Sequence, residues 1–470
     1  MRRTPLFPTA LVIATILPCI GAGLQFATTF PSHAQAPRVE SPWDNSSVDV
    51  GKLYDRVVDT IERSFFDVAR LKEVDWRARA AEVRPSVLAA PTLKDAVRII
   101  NGLLAELKTS HTALLTPDEY FYYILLDVVG VDRDASGLMT KFWGGGPYFA
   151  GTGAFTREID GRHFVDAVLE GSPADRAGLK YGDELVLVDD APYSPIAALR
   201  GKVGKTVELT IRRHAAADLQ RLGVPVVPIR PVKAFAEATQ ASARIIERGG
   251  ARIGYVHIWA SVESRSLVAA LHTFTPDSII LKRLSPAGVE AYPPDQADLT
   301  KMAGELPKPI DSLIVDLRGR VGGSMGVAAK FLETLDAGRK NYWGNTRRLG
   351  RSNTYMDRQQ NPHFHGRSVA LIDGNTRSAG EILAYGFTRS GFGPLIGTPT
   401  AGAVSAGATH VMPGDLLLYV AVSGLELDGQ HLEGAGVTPD HLVQRPLPYA
   451  AGADPVLDAA IELLTKRAAE

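Results

Sequence analysis

The chain has 470 residues, enough for several domains and a sizeable core, and it carries 51 basic against 52 acidic residues. Setting aside Arg2 and Arg3 of the N-terminal leader leaves 49 basic against 52 acidic residues, a net charge of −3, which argues against nucleic acid or an anionic membrane as partner. The single cysteine, Cys19, lies inside that leader, so the remainder has no disulfide, no cysteine nucleophile and no cysteine-ligated metal.

Arg2 and Arg3 precede an apolar run from Leu11 to Leu24, and Ala34-Gln35-Ala36 has the small-x-small form of a cleavage site. Residues 1–36 therefore read as a secretory signal peptide, and the protein is expected to be exported, to the periplasm or outside the cell. Leu17-Pro18-Cys19 is a poor lipidation site because of the proline beside the cysteine. The apolar run is short and broken by Pro and Gly, and no later stretch is long and apolar enough for a stable membrane span.

Residues 37–48 are polar and read as a linker. From Asp49 to about Tyr123 the pattern is helical: Leu53, Val57, Ile61 and Phe65 recur every four residues, and Thr92-Leu-Lys-Asp95 is a capping box ahead of Val97 to Leu107. Lys108-Thr-Ser-His-Thr112 follows directly, and Thr116-Pro117 stops any helix. A histidine in that position ordinarily does no more than meet a helix dipole. This helical region is expected to span 49–135.

After a link at Trp143-Gly-Gly-Gly-Pro147 comes a second module, expected over 142–213. Gly151-Thr-Gly-Ala-Phe155, His163 to Leu169, Gly171-Ser-Pro-Ala-Asp-Arg-Ala-Gly-Leu179, Gly182-Asp-Glu-Leu185 and Val207 to Arg212 read as short strands around one helix. The Ser-Pro-Ala, Ala-Gly-Leu and Gly-Asp-Glu runs resemble a PDZ domain. That resemblance implies capture of an extended chain end by strand addition, with Gly151, Thr152, Gly153, Ala154 and Phe155 forming the carboxylate loop.

From about Ile245 to the C-terminus, strands near 253–258, 313–317, 369–372, 395–396 and 417–422 alternate with helices, the signature of an α/β layer. His257 falls in the alternating strand. His363 and His365 lie in a polar stretch, and His410 and His431 flank late strands. No histidine pair has ligand spacing to an acid, so neither metal nor cofactor is expected. Lys282 to Pro309 and Asn341 to His365 read as irregular loops.

Two stretches of this core carry chemistry. Ser312-Leu-Ile-Val-Asp-Leu-Arg-Gly-Arg-Val-Gly-Gly323 is a buried strand running into a glycine turn, ahead of an apolar helix from Met325 to Leu335. Ser368 to Ile372 is a second strand, and Asp373-Gly-Asn375 turns it into a helix whose N-terminus is Ser378. Serine there is commonly only a cap. The same position also gathers unpaired backbone N–H groups, which stabilise an oxyanion forming beside a serine oxygen.

Four ordered motifs, Asp316 to Gly323, Asn375-Thr-Arg-Ser-Ala-Gly-Glu381, Ile396-Gly-Thr-Pro-Thr-Ala-Gly402 and Leu432-Glu-Gly-Ala-Gly-Val-Thr-Pro-Asp440, resemble those of the C-terminal processing, or tail-specific, serine peptidases. The likeness runs from about Asp49 to the C-terminus. It implies a multidomain α/β (α+β) fold: a helical region, a PDZ-like β-domain, and a 245–470 core of the ClpP/crotonase-like type. It also implies Ser378 as nucleophile.

The lysine that serves as base in the bacterial and plastid branch would fall at position 403, which is Ala403. The branch resembling the tricorn core uses instead a serine–histidine pair and a late glutamate, and Ser110, His111 and Glu433 stand at the matching motifs. The implied relay has Ser378 attacking, His111 as general base, and Ser110 with Glu433 orienting the imidazole, with oxyanion donors at Ala379 and Gly323. Its acid limb is expected near the ordinary imidazole value, about 6 to 7. Substrates would be unstructured or C-terminally tailed proteins and peptides. The alternative from another class is a non-catalytic peptide- or apolar-ligand-binding protein on the same scaffold.

Overall fold

A computed structural model describes residues 48–130, 138, 142, 146–262, 310–319, 322–335, 343–348, 351–356 and 366–466. The leader, most of the linker and the stretch expected to loop over 282–309 lie outside the described residues. The four-residue repeat after Asp49 forms α1 (Val50–Ser64); Leu53, Val57, Ile61 and, just past its end, Phe65 are wholly buried. α2 (Val68–Glu73), α3 (Trp76–Leu88) and α4 (Leu93–Ala105) follow, and the Thr92 hydroxyl accepts the Asp95 N–H at 3.1 Å to cap α4.

The all-helical expectation for this region fails at one place. β1 (Ala113–Leu115) lies between α4 and α5 (Tyr120–Val128), and it pairs antiparallel with the core strand Leu417–Leu427, Ala113 opposite Tyr419. Three residues cannot display a two-residue period, so it is the partner strand, far along the chain, that makes this segment extended.

The second module comprises β2 (Phe149–Gly151), β3 (Ala154–Ile159), β4 (Arg162–Val168), α6 (Pro173–Arg176), β5 (Glu184–Val188), β6 (Ala191–Pro192), β7 (Thr206–Arg212), β8 (Gln220–Pro225) and β9 (Val227–Ile229). Its sheet runs β3-β4-β5-β7-β8, with β6 on β5, while β2 pairs with β9. The expected boundary at Arg213 is therefore too early. Residues 214–219 are a hairpin connection, and β8 covers β7 from Thr206 opposite Pro225 to Ile211 opposite Gln220.

The remainder contains α7 (Pro231–Ser242), β10 (Arg244–Arg248), β11 (Ala251–His257), β12 (Ser312–Asp316), α8 (Met325–Leu335), β13 (Trp343–Arg348), β14 (Arg351–Met356), β15 (Arg367–Ile372), α9 (Ala379–Arg389), β16 (Leu395–Gly397), β17 (Ala406–Val411), β18 (Leu417–Leu427), β19 (Gln430–His431), β20 (His441–Leu442) and α10 (Pro455–Lys466). One sheet is ordered β10-β11-β12-β15-β16-β20, parallel from β11 onward. Helices cover both faces, which is why β12 and β15 are near-continuous apolar runs. Val315, Phe331, Ile382 and Phe387 pack on one side, and Ile314, Val369, Val456 and Leu464 on the other. A second sheet is built on β18, flanked by β1, β13, β17 and β19. The hairpin of β13 and β14 occupies part of 341–365, a stretch whose polar composition reads as irregular loop; pairing of Gly344 to Arg347 with β18 makes it a strand.

Because β12, β15 and β16 are parallel, the turns after them emerge at the same carboxyl edge of the sheet, where α/β folds place their sites. Those turns are the glycine run to Gly323, the approach to Ser378, and residues 398–405. The second module is fastened to this core. The Tyr449 N–H donates to the Gly182 carbonyl at 2.8 Å, the Gly452 N–H to the Tyr181 carbonyl at 2.9 Å, and Glu170 meets His257 at 2.9 Å.

Candidate active site

Ser378 is the N-cap of α9, with backbone angles of φ 54° and ψ −124°. A non-glycine residue held there stores of the order of 1–3 kcal/mol of strain, a feature that clusters at functional positions. What holds it is a pair of contacts: its N–H donates to the Ala403 carbonyl at 2.8 Å and, more weakly, to Glu381 at 3.3 Å. Gly322 lies directly against it. A Cβ on Gly322 would come within 2.4 Å of the Ser378 Cβ and 3.2 Å of the Ala379 nitrogen, so only glycine allows this approach.

The neighbouring Gly323, at φ 125°, bridges Ser261. The Ser261 N–H donates to the Gly322 carbonyl at 2.9 Å and the Ser324 N–H to the Ser261 carbonyl at 2.7 Å. In that register the Gly323 N–H is turned to the side away from Ser261. Ala379 is the first residue of α9, so its N–H is among those with no intrahelical acceptor.

Ser110 and His111 stand immediately before β1, which seats the imidazole against Tyr419, ring centroids 5.1 Å apart. The Ser110 hydroxyl lies 2.7 Å from His111 Nδ1. The Ser110 N–H donates to Glu433 Oε1 at 2.6 Å, while Oε2 accepts from the Val404 N–H at 3.0 Å and from the Ser405 N–H and hydroxyl, both at 2.9 Å. Burial pushes His111 down to about 4; Glu433 opposes that shift and Arg377 adds to it.

Glu381 is wholly buried under the serine. Its Oε1 accepts from the Thr400 hydroxyl at 2.5 Å and the Gly402 N–H at 2.7 Å, and its Oε2 from the Ala403 N–H at 2.7 Å. Burial raises its pKa, and these donors pull the other way. Two carboxylates thus grip one short segment: Glu381 holds Gly402 and Ala403 beside Ser378, and Glu433 holds Val404 and Ser405 beside the Ser110–His111 pair. That is how the structure gathers Ser378, His111, Ser110 and Glu433. Among the described residues no hydrogen bond joins the Ser378 hydroxyl to His111, whose Nδ1 faces Ser110. Position 403 contributes backbone alone.

These contacts give the likeness to known proteins its meaning. Residues 252–443 match peptidase family S41. Beyond that stretch the chain resembles known proteases along more of its length. It is 26% identical over 459 residues to "Putative tricorn protease homolog 2" of Streptomyces coelicolor, covering 92% of this chain and 33% of that protein. It is 24% identical over 401 residues to "Carboxyl-terminal-processing protease" of a Picosynechococcus species, covering 82% of this chain and 83% of that one. To "Tricorn protease" of Thermoplasma acidophilum it is 33% identical over 157 residues, 32% of this chain and 14% of that protein. The chain spans about a third of the length of the tricorn homologues it matches.

In the second module the loop expected to receive a carboxylate is packed away from solvent. Gly151, Thr152, Gly153, Ala154 and Phe155 are all buried. Gly153 packs on Ser172, where a Cβ would come within 2.2 Å of the Ser172 Cβ, and the Thr152 and Gly153 carbonyls accept the Ala174 and Leu169 N–H groups, each at 2.9 Å. Phe155 stacks on Phe235 of α7, centroids 6.1 Å apart. The loop is closed against α7.

His257 proves to join the second module to the end of β12. Its Nδ1 is 2.9 Å from Glu170 and its Nε2 is 2.6 Å from the Arg318 carbonyl. Both neighbours accept, so both ring nitrogens carry protons. Burial disfavours that charge, but Asp316, Glu170 and the Arg318 carbonyl outweigh it and raise the pKa overall. Arg318 in turn ion-pairs Asp316 at 2.5 Å and Asp454 at 2.7 Å. A cavity of about 400 Å³ lies here, with Glu170, Tyr181, His257, Arg318 and Asp373 on its walls. Residue-type reasoning missed Glu381, Ser405 and Glu170. Glu381 alone had a signal, as the acid three residues into a helix whose cap is the serine.

Proposed function

We propose that this chain is an exported serine endopeptidase that cleaves unstructured or C-terminally tailed proteins through an acyl-enzyme. Ser378 attacks the scissile carbonyl while His111 takes its proton through Nε2 and returns it to the leaving amine. Ser110 holds Nδ1, and Glu433 fixes Ser110 through its N–H and supplies negative charge that favours the transient imidazolium. The oxyanion is received by the Ala379 N–H and the Gly323 N–H. The scheme calls for neither metal nor cofactor.

The observation that carries this reading is the shared grip on residues 402–405, which ties the strained serine to the serine–histidine–glutamate set. A scaffold that merely bound an apolar ligand would gain nothing from a hydroxyl on His111 Nδ1 and a carboxylate with four donors behind it. The likeness to a carboxyl-terminal-processing protease, over most of both chains, supports the substrate class. Export rests on the leader, and tail capture on the PDZ-like module, whose loop would have to open.

The test uses the protein lacking residues 1–36. Wild type should hydrolyse a loosely folded protein and take up a fluorophosphonate label at Ser378, and Ser378→Ala should do neither. Equal turnover by the two proteins removes this site from consideration, and the binding-protein reading then takes its place.

A further inference from the structure

Arg377 directly precedes the candidate nucleophile, so the two Cα atoms are about 3.8 Å apart. Its guanidinium is unlike the other buried ones. Arg318 is clamped between Asp316 and Asp454, and Arg213 lies on Asp183 at 2.8 Å. The Nε of Arg377 is buried with no hydrogen-bond partner, and among the described residues no carboxylate pairs with this side chain. What supports it is the Phe121 ring, whose centroid is 5.3 Å from the guanidinium carbon. An aromatic face orients the plane of the cation but offers its N–H groups no acceptor oxygen.

The nearest negative charges are already engaged. Glu381 is saturated by Thr400, Gly402, Ala403 and Ser378, and Asp373 accepts the Asn375 and Thr376 N–H groups at 2.9 and 3.0 Å. Arg157 of the PDZ-like module is a second cation within electrostatic reach, and its own partner Asp166 stands 3.4 Å away. The Arg377 charge also lowers the His111 pKa. An arginine cannot escape burial by losing its proton, and a half-buried unpaired cation is costly. A planar fork of N–H donors matches a carboxylate bidentately.

We propose that Arg377 receives a carboxylate of the peptide substrate beside the scissile bond, so that the site prefers an acidic side chain or a free chain terminus at that position. The peptide nature of the ligand rests on the function proposed above.

The experiment measures binding separately from turnover. Full-length mature Ser378→Ala protein is titrated with fluorescein-labelled peptides in matched pairs. One pair series differs by Glu against Gln at successive internal positions, with amidated ends; the other differs only by a free or amidated C-terminus. A charge-assisted bidentate contact corresponds to a preference of about 10- to 100-fold for the acidic member. The series that shows it tells a side chain from a terminus.

In Ser378→Ala/Arg377→Met the ratio should fall to about one, and in Ser378→Ala/Arg377→Lys to an intermediate value. Equal binding of both members in every pair, no binding of any peptide, or a ratio unchanged in either double variant overturns the proposal; if the Met variant does not fold, the Lys variant decides. If the acid preference is present while wild type shows no Ser378-dependent cleavage, the peptidase reading fails and the Arg377 assignment stands. Ser378-dependent cleavage with no acid preference in any pair leaves the peptidase standing and overturns the Arg377 assignment.

Discussion

If His111 is the base, the acid limb of activity reports its burial. Only the neutral imidazole accepts a proton, so activity is full above its pKa and is lost as pH falls through it. Burial places that value at about 4. At pH 5 a base of pKa about 4 is roughly nine-tenths neutral, whereas an ordinary imidazole at about 6.5 is roughly 3% neutral, a difference of about 30-fold in retained rate. The assay is kcat/KM for a fluorogenic peptide from about pH 3.5 to 8, since that ratio follows the free enzyme, with re-assay at pH 7 to separate inactivation from titration. Two variants fix the sign. Glu433 raises the His111 pKa and Arg377 lowers it, so Glu433→Gln should move the acid limb further down and Arg377→Met should move it up. A wild-type midpoint between about pH 6 and 7 would refute the reasoning, because it would mean that the base is solvated or is another residue.

His111→Ala should fall to the Ser378→Ala level, the double variant should lose little more, and Ser110→Ala and Glu433→Gln should lose ~10²- to 10⁴-fold in kcat; near-normal turnover by His111→Ala sinks the relay. Gly322→Ala puts a methyl 2.4 Å from the Ser378 Cβ, so it should cost about 1–3 kcal/mol in urea unfolding and abolish fluorophosphonate labelling, and wild-type labelling would show that the contact is not needed. For the His257–Glu170 pair the folded pKa of the histidine is raised, so its contribution is present in full below about pH 6.5 and is lost as pH rises through the folded value. Glu170→Gln should accordingly cost about 1.5–3 kcal/mol of unfolding free energy at pH 6 and clearly less at pH 9; the same loss at both would mean that His257 is neutral throughout.

Much of this protein was written locally. The α1 stripe, the Thr92 cap, the buried runs of β12 and β15, and Ser378 at the head of α9 are short-range signals, set by periodicity, by caps and by turn residues a few positions apart. The motif order likewise pointed to Ser110, His111 and Glu433 together. The tertiary structure decided what links them, because each link joins residues far apart in the chain. Glu433 meets the Ser110 N–H across 323 positions, and β1 becomes a strand only when laid on β18. The same holds for the electrostatics: an imidazole reads as an ordinary one until its surroundings are known, and here packing against Tyr419 and removal from water set its charge. Hydrophobic pattern and turn chemistry are properties of neighbours in sequence; desolvation, strand register and the pairing of buried charges are properties of neighbours in space.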